Sequence, residues 1–200
     1  MGQVVLGIDV GSTTVKVVVL DPNRRLLAWR YVRSNGRPRP TLLETIREIA
    51  QEVDLTQIAG VGLSGSGGGP LADLIGGLHV NELVAQTRAI GEFHPEARTI
   101  IEIGGQDSKL LSVRWDAGSA QMMLEDFAMN ALCAAGTGAF LDQQAERLGI
   151  SIDGEFARLA LASESPARIA GRCTVFAKSD MIHLQQVGTP MRDILMGVCL

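Results

Sequence analysis

The chain has 200 residues, of which 46 % are hydrophobic and 20 % charged, with a net charge of −4. That composition supports a packed core and excludes an intrinsically disordered chain. It also excludes nucleic-acid binding by charge neutralisation, which needs clustered Lys and Arg; Arg24, Arg25, Arg30, Arg33, Arg37 and Arg39 are broken up by prolines and an Asn-Gly. No apolar run reaches the roughly 18 residues of a bilayer span. The first six residues lead straight into a strand with no charged leader. The expected location is therefore the cytoplasm, with no membrane partner. Three cysteines, Cys133, Cys173 and Cys199, do not make a disulfide framework in a cytosolic chain.

In chain order, the valine-rich runs 3–10 and 14–20 flank the tight turn Gly11-Ser12-Thr13 and predict a β-hairpin. Residues 26–32 follow the turn Asp21-Pro22-Asn23 as a third strand. Pro40 and Thr41 open an amphipathic helix over 42–53, with Leu43, Ile46, Ile49 and Ala50 on its apolar face. Residues 58–63 form a short β-branched strand. The glycine-rich stretch 64–70 is a loop, either facing a nucleotide cleft or simply flexible, and 82–93 is a helix. The pattern then restarts. A strand over 99–103 ends in Gly104-Gly105, its hairpin partner covers 108–113, and a third strand covers 118–123, followed by a helix over 135–148. Residues 169–176 read as a strand-like piece, with helical segments from Lys178 and Met191.

This internal repeat predicts an α/β fold of two RNase H-like lobes, 1–95 and 96–200, divided near His94-Pro95. The second lobe is expected to be incomplete. The last helix stops at Leu200 inside the apolar pattern Ile194, Leu195, Val198, Leu200, without a Gly or Asn cap. The expectation is a chain that continues beyond Leu200 as part of a longer protein.

The chemistry concentrates in the turns. In Asp9-Val10-Gly11-Ser12-Thr13-Thr14-Val15-Lys16, the glycine lets the backbone N–H groups of Ser12, Thr13, Thr14 and Val15 converge on an anion. Asp9 at the strand end can hold Mg²⁺ through water. Ile103-Gly104-Gly105-Gln106-Asp107 repeats the arrangement in the second lobe. One glycine hairpin is commonplace, and two ordinary hairpins are the bland alternative; the informative feature is the same turn at the same place in both repeats. These residues resemble the actin, Hsp70 and sugar-kinase superfamily. That resemblance implies two lobes clamping ATP and Mg²⁺ between paired phosphate loops. Beside the second turn, Glu102 and Asp107 either order the attacking water or simply cap a strand.

Two cysteines precede expected helix starts, Cys133 in Asn130-Ala131-Leu132-Cys133-Ala134-Ala135-Gly136-Thr137-Gly138 and Cys173 in Gly171-Arg172-Cys173-Thr174-Val175-Phe176. A helix N-terminus favours a thiolate through its dipole and free N–H groups. Two thiolates per chain cannot complete the four-cysteine shell of a [4Fe–4S] cluster; two chains about a two-fold axis can. With the two turns, these stretches resemble the ATP-dependent activators of 2-hydroxyacyl-CoA dehydratases and the related ATPases of benzoyl-CoA reductases. The resemblance implies a homodimer sharing one [4Fe–4S] cluster, with Cys133 and Cys173 of each chain as its ligands. It implies ATP and Mg²⁺ as further cofactors, and a dehydratase or reductase component as electron acceptor. Reduced ferredoxin or flavodoxin is the implied donor. Carried over by position, Gly11, Ser12, Thr13, Thr14, Val15 and Lys16 bind the nucleotide with Gly104, Gly105 and Gln106, and Asp9, Gln106 and Asp107 form the catalytic set. The alternatives are a small-molecule kinase of the same superfamily with structural cysteines, and a non-catalytic nucleotide-sensing module.

Overall fold

The structure, a computed structural model, describes residues 3–130 and 136–200. The chain forms two compact units, one of residues 1–99 with 111–126 and the other of residues 100–110 with 127–200.

The first unit is built on a five-stranded sheet. Its strands are β1 (Val4–Val10), β2 (Thr14–Leu20), β3 (Leu26–Arg33), β4 (Ile58–Ser64) and β5 (Leu78–His79), in the order β3-β2-β1-β4-β5. The first three strands pair antiparallel through short turns, whereas β4 joins β1, and β5 joins β4, in parallel. Strand alternation explains the two faces. Val4, Leu6, Ile8 and Val10 of β1 share the core with Val15, Val17 and Val19 of β2 and Leu63 of β4. Helices α1 (Pro38–Ile49) and α2 (Gly68–Ile75) cover that face with Leu42, Ile49 and Ala72.

Two helices differ from expectation for local reasons. α1 turns Leu42, Thr45 and Ile49 inward and leaves Leu43 exposed. The i, i+3, i+7 stripe accommodates Thr45 because its hydroxyl donates to the Thr41 carbonyl at 2.7 Å. The stretch 64–70 is a loop only as far as Gly67, and Gly68-Gly69-Pro70 form the first turn of α2. A proline there loses no bond, since first-turn amides have no intrahelical partner. Gly76 closes α2 with a left-handed φ of 68°.

Helix α3 (Glu82–Phe93) belongs to the same unit and buries Thr87 and Gly91. A Cβ on Gly91 would lie 2.5 Å from Met122 Cβ, so helix and strand meet without room for a side chain. That strand, β8 (Gln121–Asn130), forms a three-stranded sheet in the order β6-β7-β8 with β6 (Thr99–Ile103) and β7 (Ser108–Asp116). Met122 is buried, while Met123 and Met129 are exposed.

In the second unit, α4 (Gly138–Leu148), α5 (Ala157–Leu161), α6 (Thr174–Gln186) and α7 (Met191–Cys199) surround a core of Ala145, Phe156, Ala160 and Leu195. The strand-like piece expected over 169–176 is absent; α6 begins at Thr174. Its buried residues Ala177 and Met181 stand at the i, i+4 helical period, while Val175 and Phe176, which suggested a strand, are exposed. The loop before α6 is tied to α7 by Ala167 N–H donating to the Asp193 carbonyl (2.9 Å) and Ser163 Oγ donating to Asp193 Oδ1 (2.7 Å). Cys199 is exposed, although partial burial still pushes its thiol pKa up. Among the described residues, no helix is long and apolar enough to cross a membrane.

Candidate functional site

Strand register assembles the first turn. Asp9 pairs with Lys16 across β1 and β2 and with Ser64 across β1 and β4, and Lys16 pairs with Tyr31 of β3. One transverse row therefore carries Ser64, Asp9, Lys16 and Tyr31, on the sheet face opposite the core. Ser64 Oγ donates to Asp9 Oδ1 at 3.0 Å, and Lys16 Nζ donates to Asp9 Oδ2 at 2.7 Å. The same ammonium lies 5.6 Å from the Tyr31 ring centroid, within cation–π range. Both charged side chains stay about one-third exposed, at 35 % for Lys16 and 32 % for Asp9, so the pair is open to a ligand.

The turn itself is closed by Gly11 N–H donating to the Thr14 carbonyl at 2.9 Å. Ser34 buttresses it from outside, its N–H donating to the Thr13 carbonyl at 2.9 Å. Ser12 is exposed at the tip, whereas Thr14 and Val15 are buried at the start of β2. Gly65 completes the cradle with a φ of +81°. A Cβ there would come within 2.6 Å of both Asp9 Oδ1 and the Val10 carbonyl oxygen. Gly65→Ala is therefore expected to cost stability, with about 1–2 kcal/mol from the positive φ alone, and to displace Asp9. Urea unfolding checks this, and an unchanged midpoint would count against the cradle.

In the second unit, Gly104 N–H donates to the Asp107 carbonyl at 2.8 Å. A Cβ on Gly104 would overlap Asp107 Oδ1, so only glycine lets the carboxylate fold under the turn. Lys109 Nζ lies 3.0 Å from Asp107 Oδ1 and 3.2 Å from Glu102 Oε2, with its side chain only 2 % exposed. Gln106 is exposed at the tip. The carbonyls of Gly104 and Gly105 accept hydrogen bonds from the N–H groups of Gly138 and Ala139, each at 2.8 Å. First-turn amides of α4, which have no partner within a helix, thus fasten that helix to the glycine turn.

Cys173 is the N-cap residue of α6, extended at φ −138° and ψ 119°, with a free and half-buried thiol. Its carbonyl accepts from Ala177 N–H at 2.9 Å, and the preceding loop is held by Ala170 N–H donating to Asp180 Oδ2 at 3.0 Å. Cys133 lies outside the described residues. Among the described residues, no three His, Cys, Asp or Glu side chains converge as a metal site.

Sequence reasoning did not single out Lys109 or Tyr31. A lysine in an alternating strand reads as surface charge, and Tyr31 reaches the site only through the β2–β3 register. One available signal for Lys109 was its spacing from Glu102, which repeats that of Lys16 from Asp9.

The sheet order β3-β2-β1-β4-β5, antiparallel over its first three strands and parallel over the rest, is the RNase H-like fold of the actin, Hsp70 and sugar-kinase type. The model of the BadF/BadG/BcrA/BcrD ATPase family matches residues 6–200, and the chain belongs to that family. The (R)-2-hydroxyglutaryl-CoA dehydratase activating ATPase of Acidaminococcus fermentans is 33 % identical over 199 residues, covering 96 % of this chain and 72 % of that protein. The crystal structure of component A of that organism's dehydratase superposes with a TM-score of 0.86 at 31 % identity, over 98 % of this chain and 73 % of the other. An activator of 2-hydroxyisocaproyl-CoA dehydratase from Clostridium difficile, solved with bound ADPNP, gives a TM-score of 0.80 at 29 % identity, over 98 % and 70 % of the two chains. A polypeptide of the benzoyl-CoA reductase of Thauera aromatica is 28 % identical over 204 residues, covering 96 % of this chain and 67 % of that protein.

Proposed function

We propose that this chain is an ATP-hydrolysing activator that delivers a low-potential electron to a 2-hydroxyacyl-CoA dehydratase or a benzoyl-CoA reductase-type component. Reduced ferredoxin or flavodoxin is the donor in this reading. The observation that carries it is the pair of hydrogen bonds fastening the Gly104-Gly105 turn to the first turn of α4, the helix that follows Cys133 by a few residues. A phosphate that shifts this turn must shift the start of α4 with it. Nucleotide state and the cysteine segment are then coupled by covalent and hydrogen-bonded structure, to the extent that the nucleotide binds the two arrangements differently.

The lobes of this reading are residues 1–95 and 96–200, each contributing one turn. In the first, Asp9 would hold Mg²⁺ through water, its two oxygens already oriented by Ser64 and Lys16. Ser12 and Thr13 at the tip, with Lys16 beside them, are the groups available to the phosphates. In the second, Gln106 and Asp107 would order the attacking water.

The residues present fit an iron–sulfur cluster on the side that the structure describes. Cys173 carries a free, half-buried thiol at the start of the 13-residue α6, whose first-turn amides receive no side-chain cap from it. Helix-end amides and dipole favour the thiolate that ligation requires. Cys133 and Cys173 from each of two chains would hold one [4Fe–4S] cluster in a homodimer. Such a cluster, when bound, supplies one-electron chemistry at low potential.

The test is iron and acid-labile sulfide on anaerobically purified protein, with Cys173→Ser alongside. About four irons per dimer are expected, and their loss in Cys173→Ser. Wild-type protein without iron under strict anaerobiosis would overturn the electron-transfer reading.

A further inference from the structure

The two turns repeat each other more deeply than their glycines. Asp9 precedes Gly11 by two residues and Lys16 by seven; Glu102 precedes Gly104 by two and Lys109 by seven. Each glycine N–H donates to the carbonyl three residues on, at 2.9 Å from Gly11 to Thr14 and 2.8 Å from Gly104 to Asp107. Each lysine reaches back to its acid, at 2.7 Å in the first turn and 3.2 Å in the second.

Their surroundings differ. The Lys16 side chain is 35 % exposed and sits over Tyr31, so it can leave Asp9 for an incoming phosphate. The Lys109 side chain is 2 % exposed and bonds two carboxylates, Glu102 and Asp107. A buried ammonium is tolerated only when paired, and withdrawing it would leave both carboxylates uncompensated. Lys109 is thus sealed in place. Asp107 in turn cannot move without disturbing the turn, because its carbonyl accepts from Gly104 N–H and its Oδ1 occupies the space that a Gly104 Cβ would need.

We infer that Lys109 is a positioning residue for ATP turnover: it holds Asp107 and Glu102 fixed under the Gly104-Gly105 turn, whereas its counterpart Lys16 is the lysine that meets the nucleotide. The inference rests on the reading of the chain as an ATPase and does not require the cluster. Without Lys109, two like charges confront each other and the carboxylate that orders water loses its orientation. Nucleotide binding, to which the first turn with Lys16 also contributes, changes much less than turnover.

The experiment is steady-state ATP hydrolysis by the intact protein, comparing wild type, Lys109→Met, Asp107→Asn, the double variant and Lys16→Met. Lys109→Met is expected to lower kcat about ten- to a hundredfold, as loss of a supporting partner does, with KM for ATP within about threefold. The double variant should have a kcat no lower than that of Asp107→Asn, because both changes remove the same arrangement. Lys16→Met should instead raise KM. Should Lys109→Met fail to fold in a thermal scan, Lys109→Arg reads the same split. A wild-type kcat in the Lys109 variant, or losses that multiply in the double variant, overturns the inference alone. A wild-type protein that binds ATP without hydrolysing it overturns the ATPase reading together with the inference.

Discussion

Asp9→Asn is expected to reduce ATP turnover by about a hundredfold or more, the scale on which a single electrostatic group at a reacting phosphate acts, while the protein remains folded. Asparagine keeps the shape of the side chain and an oxygen that can still accept from Ser64 Oγ, now 3.0 Å from Asp9 Oδ1. It removes the charge that Lys16 meets at 2.7 Å and that a hydrated Mg²⁺ would require. The stability change should be small, because the pair is partly exposed and such ion pairs are worth at most about 1 kcal/mol. Phosphate release and thermal unfolding, measured on the same preparation, separate the two effects. A large loss of stability with unchanged kcat would make Asp9 a structural carboxylate and remove it from the site.

Gly197→Ala should destabilise the second unit by about 3 kcal/mol, the upper part of the usual range for overpacking. Helix propensity alone predicts the opposite, since alanine in a helix interior is favoured over glycine by about 1 kcal/mol. Gly197 lies within α7, and a Cβ there would overlap the Ala167 carbonyl oxygen, which is backbone and not the end of a flexible chain. The strand of loop carrying Ala167 cannot retreat freely, because Ala167 N–H is bonded to the Asp193 carbonyl and Ser163 Oγ to Asp193 Oδ1. Urea unfolding should show a lower midpoint with an unchanged slope. A midpoint at or above that of wild type would mean that the loop is not held by Asp193.

Legibility in the sequence followed the range of the forces involved. Four strands of the first sheet declared themselves through apolar, β-branched runs and short turns, both local properties, whereas the two-residue β5 gave no such signal. α1 was visible as a helix, but its buried face was misjudged by one residue, because Thr45 is admitted to the interior by a hydrogen bond that no hydropathy pattern displays. Gly68-Gly69-Pro70 resembles a loop in isolation and becomes a helical turn only with Leu71 and Ala72 packed on the first core. The β-branched and aromatic residues after Cys173 suggested a strand; tertiary packing of Ala177 and Met181 selected a helix. At the site, the glycine turns were visible as local signatures. The row Ser64, Asp9, Lys16, Tyr31 was not, because it depends on the mutual register of four strands. Cys173 stands at a helix start as the motif implied, and Cys133 lies outside the described residues.

The close meeting of Gly91 with Met122 has a consequence for the order in which this chain is made. Residues 1–99 share a compact unit with residues 111–126, so that unit is unfinished when its five-stranded sheet has been synthesised. Residues 100–110, which belong to the other unit, leave the ribosome before the strand that α3 needs. At about 5–20 residues per second, α3 waits on the order of seconds with the face around Thr87 and Gly91 uncovered. During that interval the nascent chain offers an uncovered helix surface, which closes only once the strand carrying Met122 has emerged.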